Sequence, residues 1–165
     1  MSVIAAKIEP TQIKLASDSI LVRGWTQEKK TGASAKLCFV NNMHIGAVGK
    51  CEESSLLKLF CITHRPERAE ENAIVTFMAE FADWKKQRTN EYTLENVYIL
   101  VIDKKVFQIE SFFVAEIDTF TAIGAGQDFA LAALYLGHSP KEAVQIACEL
   151  SVMCEPPIKE YIIER

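Results

Sequence analysis

Three side chains in the first part of the chain have the types and order to do chemistry together: Ser2, Asp18 and Lys36. A serine behind the initiator methionine becomes an N-terminal residue once Met1 is removed, and its side chain is small enough for a methionine aminopeptidase to act. Its free α-amine then lies beside its own hydroxyl and, with an unperturbed pKa near ~8, can take that hydroxyl's proton at neutral pH. A nearby lysine ammonium would favour the alkoxide and keep the amine unprotonated, and a carboxylate would hold the lysine charged. Ser2 opens the apolar stretch Val3–Ile8, Asp18 closes a second one, and Lys36 directly precedes Leu37-Cys38-Phe39-Val40. Each therefore falls at the end of a predicted strand.

The elements that must position them follow from periodicity and turn residues. Strands are predicted over Val3–Ile8 and Ile13–Ile20, around Glu9-Pro10-Thr11-Gln12. The polar segment Val22–Ala35 reads as a loop or weak hairpin, and Lys36–Val40 with Met43–Val48 as a hairpin through Asn41-Asn42. A helix follows from Gly49 to near His64, with Leu56, Leu57, Leu59, Phe60 and Cys61 implying burial on two sides. A second runs over Ala69–Gln87, with Ile74, Phe77, Met78, Phe81 and Trp84 at helical spacing. Strands return at Val97–Ile102, Val106–Ile109, Ser111–Ile117 and Thr121–Ile123. Helices then span Gln127–Leu136 and, from the capping box Ser139-Pro140-Lys141-Glu142, a stretch to about Met153. Ile158–Ile163 completes the series as a strand.

Helices thus come in pairs between groups of strands, which excludes a doubly wound parallel sheet. The order predicts an α+β fold: two antiparallel sheets face to face, each covered outside by a helix pair, within a single domain spanning residues 1–165. At 165 residues, with 49% hydrophobic and 24% charged residues, the chain has enough material for a full core.

Composition narrows the function classes. A net charge of -4 argues against nucleic acid, whose phosphates require a concentrated basic face. No apolar run reaches the roughly 20 residues of a membrane span, and no secretory signal is visible. Five cysteines, odd in number and set in apolar runs, suit reduced thiols in a cytoplasmic protein better than a disulfide framework. Cys61 and His64 have a metal-compatible spacing but no second pair, so neither a metal nor another cofactor is expected. Gly124-Ala125-Gly126 lacks the spacing of a nucleotide fingerprint.

Ser2, Asp18, the run Lys36–Val40, and Thr121-Ala122-Ile123-Gly124-Ala125-Gly126-Gln127-Asp128-Phe129-Ala130-Leu131-Ala132-Ala133 together resemble proteasome β-type subunits. The likeness is closest to the HslV type of bacterial ATP-dependent protease. It implies the four-layer αββα sandwich of N-terminal nucleophile hydrolases and a peptidase acting on peptides or unfolded protein. It further implies a homo-oligomeric ring, with an ATPase unfoldase as the expected partner. By this resemblance Ser2 is the nucleophile, Asp18 and Lys36 are its electrostatic partners, the Gly49 amide is an oxyanion donor, and Ala47 borders the substrate pocket. Ser34 competes with Lys36 for the lysine position, because the preceding stretch is longer than the family spacing. Ala125 stands where the family carries serine, Gln127 where it carries glycine, and Ser151 about where it places an aspartate. Those departures keep a non-catalytic proteasome-like subunit open as an alternative, and the shared fold also permits an amidase acting on a small molecule.

Overall fold

The computed structural model describes residues 1–29 and 36–165. In chain order the elements are β1 (Ile4–Ile8), β2 (Gln12–Ser17), β3 (Ile20–Arg23), β4 (Thr26–Lys29), β5 (Leu37–Val40), β6 (Met43–Val48), α1 (Cys51–Cys61) and α2 (Glu71–Thr89). They continue with β7 (Val97–Ile102), β8 (Lys105–Glu110), β9 (Phe113–Ile117), β10 (Phe120–Ile123), α3 (Gln127–Tyr135), α4 (Pro140–Leu150) and β11 (Lys159–Glu164). The chain forms two compact units, one from both ends of the sequence (Met1–Leu37 and Asp118–Arg165) and one from its middle (Cys38–Ile117).

The first unit is built on an antiparallel sheet in the order β10-β1-β2-β11. Val3, Ala5, Ala16 and Ala122 pack with Ala130, Ala133 and Leu134 of α3 and Ala143, Val144 and Ala147 of α4. So many alanines allow helix backbones to approach the sheet closely. Ile4 and Ala6 project to the opposite face of β1 and are also fully buried. Burial on both faces explains why this strand is apolar without alternation. The capping box is present: Ser139 Oγ accepts the Glu142 N–H, and the Glu142 carboxylate accepts the Ser139 N–H.

The second unit carries the sheet β5-β6-β7-β8-β9. Its core is made of large side chains: Met43, Tyr98, Leu100 and Phe107 from the sheet, Leu57 and Phe60 from α1, and Ile74, Phe77, Met78 and Phe81 from α2. Phe60 stands at its centre, with ring centroids 5.3 Å from Phe77 and 5.5 Å from Phe81.

Boundaries differ from the sequence expectation where polar side chains intervene. Ile13–Ile20 is not one strand, since Asp18 breaks it and β3 begins at Ile20. The Val22–Ala35 stretch contributes β4, and its residues 30–35, Ser34 among them, lie outside the described residues. Gly49 is not helical (φ +129°), so α1 begins at Cys51; Leu59 is 53% exposed, leaving α1 buried on one side only. Helix α2 runs past Gln87 to Thr89 because Asn90 adopts the left-handed conformation that stops a helix (φ +62°).

Candidate active site

The first unit brings Asp18 and Lys36 together and bonds Asp18 to Val3, the residue that follows Ser2. Ile4 pairs with Ser17 across β1 and β2, so the ladder carried one step further sets Val3 against Asp18. The two share reciprocal main-chain and side-chain bonds: the Asp18 N–H donates to the Val3 carbonyl at 3.2 Å, and the Val3 N–H donates to Asp18 Oδ1 at 2.9 Å. The same Oδ1 accepts Lys36 Nζ at 2.5 Å. Oδ2 accepts the main-chain N–H groups of Ile20 (3.2 Å) and Glu155 (3.3 Å). A fully buried carboxylate is thus satisfied by three main-chain amides and one ammonium, as a buried charge requires. Burial pushes the Lys36 ammonium below its ordinary range, and Asp18 offsets part of that.

Ser2 is 5% exposed, while Met1 before it is 54% exposed. The Ser2 carbonyl accepts the Gly126 N–H at 3.1 Å, which ties the head of β1 to the turn that starts α3. Gly126 has to be glycine: a Cβ there would meet Cys154 Sγ at 2.5 Å, Val3 Cβ at 3.1 Å and Ala147 Cβ at 3.2 Å. With Met1 attached, Ser2 has φ +141°, a region that disfavours any residue with a Cβ. That angle is defined by the Met1 carbonyl, so cleaving the Met1–Ser2 bond removes the constraint together with the residue.

Two features near this trio carried no signal in the sequence. Glu155 reaches Asp18 through its main-chain N–H from 137 residues away, and a backbone donor leaves no mark on residue type. Cys148 and Cys154 lie close enough to Asp18 and Lys36 to feel both charges. Burial, followed by the Asp18 charge, pushes the Cys148 thiol up to about 12 and raises Cys154 as well. Burial thus favours the neutral thiol at both positions. Ser151 caps α4, and its hydrogen bonds run to the Met153 N–H (3.2 Å) and to Cys154. Ala125 and Gln127 are exposed.

Gly49 and Ala47 belong to the second unit. Ala47 is half-buried on β6 and pairs with Tyr98. Gly49 joins β6 to α1, with the side chain of Asn96 packed where a Cβ would stand. Cys61 is buried with its thiol pushed up to about 12 by desolvation, and His64 stacks on Phe60 at 4.0 Å. Among the described residues no group of three or more His, Cys, Asp or Glu is placed to hold a metal. No helix among them is long and apolar enough to cross a membrane.

No protein-family model matches the chain, and no curated protein matches it. Solved structures do. Thiobacillus denitrificans BPH in complex with epoxomicin superposes with a TM-score of 0.88 at 16% identity, covering 98% of each chain. HslV from Trypanosoma brucei gives 0.71 at 20% identity, over 99% of each chain. The fold is that of HslV- and proteasome-like N-terminal nucleophile hydrolases. Anbu (ancestral beta-subunit) from Yersinia bercovieri adds a TM-score of 0.74 at 14% identity, covering 98% of this chain and 81% of that one. The N-terminal nucleophile hydrolase fold is the one implied by the resemblance of Ser2, Asp18, the run Lys36–Val40 and residues 121–133 to proteasome β-type subunits. The order of strands and helix pairs alone predicts an α+β fold of antiparallel sheets covered by helix pairs. At these identities the likeness is one of fold, and the site must be argued from this chain's own residues.

Proposed function

We propose that the chain, once freed of Met1, is a serine-type N-terminal nucleophile peptidase. The observation that carries this reading is the sharing of one carboxylate oxygen. Asp18 Oδ1 holds both the N–H of the residue that follows Ser2 and the Lys36 ammonium, so nucleophile and cation are indexed to the same atom. The Ser2 α-amine takes the hydroxyl proton as Oγ attacks the scissile carbonyl carbon, and the carbonyl π pair moves onto oxygen. When the tetrahedral species collapses, the C–N bond breaks and the ammonium returns its proton to the leaving amine. Water then attacks the Ser2 ester with the amine as base, releasing the acid and restoring the hydroxyl. Lys36 stabilises negative charge developing on Oγ. The steps need no cofactor. The HslV- and proteasome-like fold supports work on peptides or unfolded protein inside a homo-oligomeric ring, fed by an ATPase unfoldase.

A non-catalytic subunit is the second reading, favoured by exposed Ala125 and by Ser151 bonding to Met153 and Cys154. One experiment separates the two. Epoxomicin, the ligand of the BPH complex, is an epoxyketone that a hydroxyl and an adjacent amine can attack together. Incubated with Met1-free protein, confirmed by intact mass, it is expected to add one equivalent to wild type and none to Ser2→Ala. Peptide hydrolysis should fall by roughly 10³-fold or more in the variant. Equal labelling of both proteins would sink the assignment. Light scattering tests the ring, against which a monomer would count.

A further inference from the structure

The connector between α4 and β11 (residues 151–158) lies against the Asp18 carboxylate, and its own sequence limits how it can be held. Pro156 and Pro157 have no N–H, so over residues 155–157 the one main-chain donor is that of Glu155. That N–H is used on Asp18 Oδ2 at 3.3 Å. Two carbonyls of the same stretch accept from a single residue, Ser19. Its N–H donates to the Glu155 carbonyl at 2.9 Å, and its Oγ donates to the Pro157 carbonyl at 2.5 Å. The β2–β11 register ends at Ser17 and Lys159, so beyond that pair these bonds hold the connector in place of a ladder.

The two oxygens of Asp18 have different tasks. Oδ1 accepts the Val3 N–H and Lys36 Nζ, whereas Oδ2 accepts the N–H groups of Ile20 and Glu155. Rotation about the Cβ–Cγ bond of an aspartate is broad and nearly twofold, so the donors set the carboxylate plane. Ile20 is two residues away and moves with Asp18, as when an aspartate bonds its own following backbone. Glu155 is the distant donor on Oδ2, and it ties that oxygen to the rest of the unit. The connector also reaches the Ser2 side. Cys154 is 2% exposed and its Sγ fills the space beside Gly126, whose N–H holds the Ser2 carbonyl. Neighbouring residues 154 and 155 thus touch both the turn that grips Ser2 and the carboxylate that grips Val3 and Lys36.

We propose that Ser19 is the positioning residue for Asp18: its two bonds latch the connector, so that the Glu155 N–H fixes the carboxylate plane in which Oδ1 serves Val3 and Lys36. The proposal rests on the peptidase reading, in which Asp18 and Lys36 serve Ser2, so one readout has to work without turnover. Ser19→Ala, Ser19→Cys and Ser19→Thr are compared with wild type as Met1-free, ¹⁵N-labelled proteins. In Ser19→Ala the Glu155 amide resonance should shift and its hydrogen exchange accelerate about 10-fold or more. Ser19→Thr keeps the hydroxyl and should keep the wild-type pattern. In kinetics, kcat should fall roughly 10-fold in Ser19→Ala with KM within about twofold, and Ser19→Thr should restore it. A latch that served stability alone would lower the urea midpoint and leave the kcat of the folded protein unchanged. Ser19→Cys carries a weaker donor and should fall between the other two; it decides the matter if Ser19→Ala does not fold. An unchanged Glu155 amide overturns the proposal, as does a displaced Glu155 amide with wild-type kcat. A wild type that adds no epoxomicin defeats the peptidase reading instead, and the Glu155 amide then decides by itself whether Ser19 fixes Asp18.

Discussion

Each unit buries a carboxylate against a lysine, Asp18 with Lys36 in the first and Glu53 with Lys85 in the second, and the surroundings differ. Lys85 is 4% exposed in its side chain and has a second partner in the Thr93 carbonyl, while its carboxylate partner also accepts the Tyr98 hydroxyl. Lys36 is 12% exposed, beside cysteines and an alanine-lined core. Around Glu53, burial raises the carboxyl but is outweighed by Lys85, the Tyr98 hydroxyl and the Asn96 and Glu95 amides, so it sits below its ordinary range. Around Lys36, burial wins and the ammonium is depressed despite Asp18. Both carboxylates brace main chain, Glu53 through two N–H groups and Asp18 through three, but only the less enclosed pair shares its carboxylate oxygen with the residue that follows Ser2. An identical pairing of residue types therefore takes its role from what else surrounds it.

Exchanging the same residue in both pairs is the strongest way to break this comparison. Lys36→Met should cut peptide hydrolysis by roughly 10²-fold or more, as loss of an electrostatic partner of the nucleophile. Lys85→Met should leave hydrolysis by the folded protein near wild type. It should cost about 3–5 kcal/mol of stability, because Glu53 is left buried without its counter-charge, a cost that Lys36→Met shares at equally buried Asp18. Urea titration and steady-state kinetics on both variants decide it, and a matched pattern of losses would erase the distinction.

The pH dependence of stability should separate the pairs by window. The folded Glu53 carboxyl lies below its usual value of 4.5, so its contribution is complete above that pH and is lost as pH falls through the folded value. Glu53→Gln should flatten that acid limb in urea titrations below 4.5. Lys36 lies below its usual 10.5 when folded, so the unfolded chain binds more protons just under that pH, and stability should rise as pH rises through this window. Lys36→Met should remove that rise and leave the acid limb intact.

The smallest effect concerns backbone. Gly49 holds φ +129° without a Cβ, whereas Ser2 holds φ +141° with one, and only while Met1 is attached. A Met1-retaining sample should be less stable than the processed chain by about 1–3 kcal/mol, read from urea midpoints of the two forms. Equal midpoints would show that Ser2 carries no strain.

Much of this was legible in the residues themselves. The spacing of Ile74, Phe77, Met78 and Phe81 marked the buried face of α2, and Ser139 and Glu142 marked the start of α4, because helical periodicity and caps are local. Ser2, Asp18 and Lys36 could be picked out as polar residues at the ends of apolar strands. The sequence by itself determined which side chains are the candidates for a nucleophile, a cation and a carboxylate: Ser2, Lys36 and Asp18. Tertiary structure decided how they are held: Glu155 N–H on Asp18, Gly126 wedged between Cys154 and Val3 while gripping the Ser2 carbonyl, and Asn96 locking Lys50. Those contacts join residues far apart in the chain, largely through main-chain N–H and C=O groups. Every residue but proline carries both groups, so only the fold selects which pair is used.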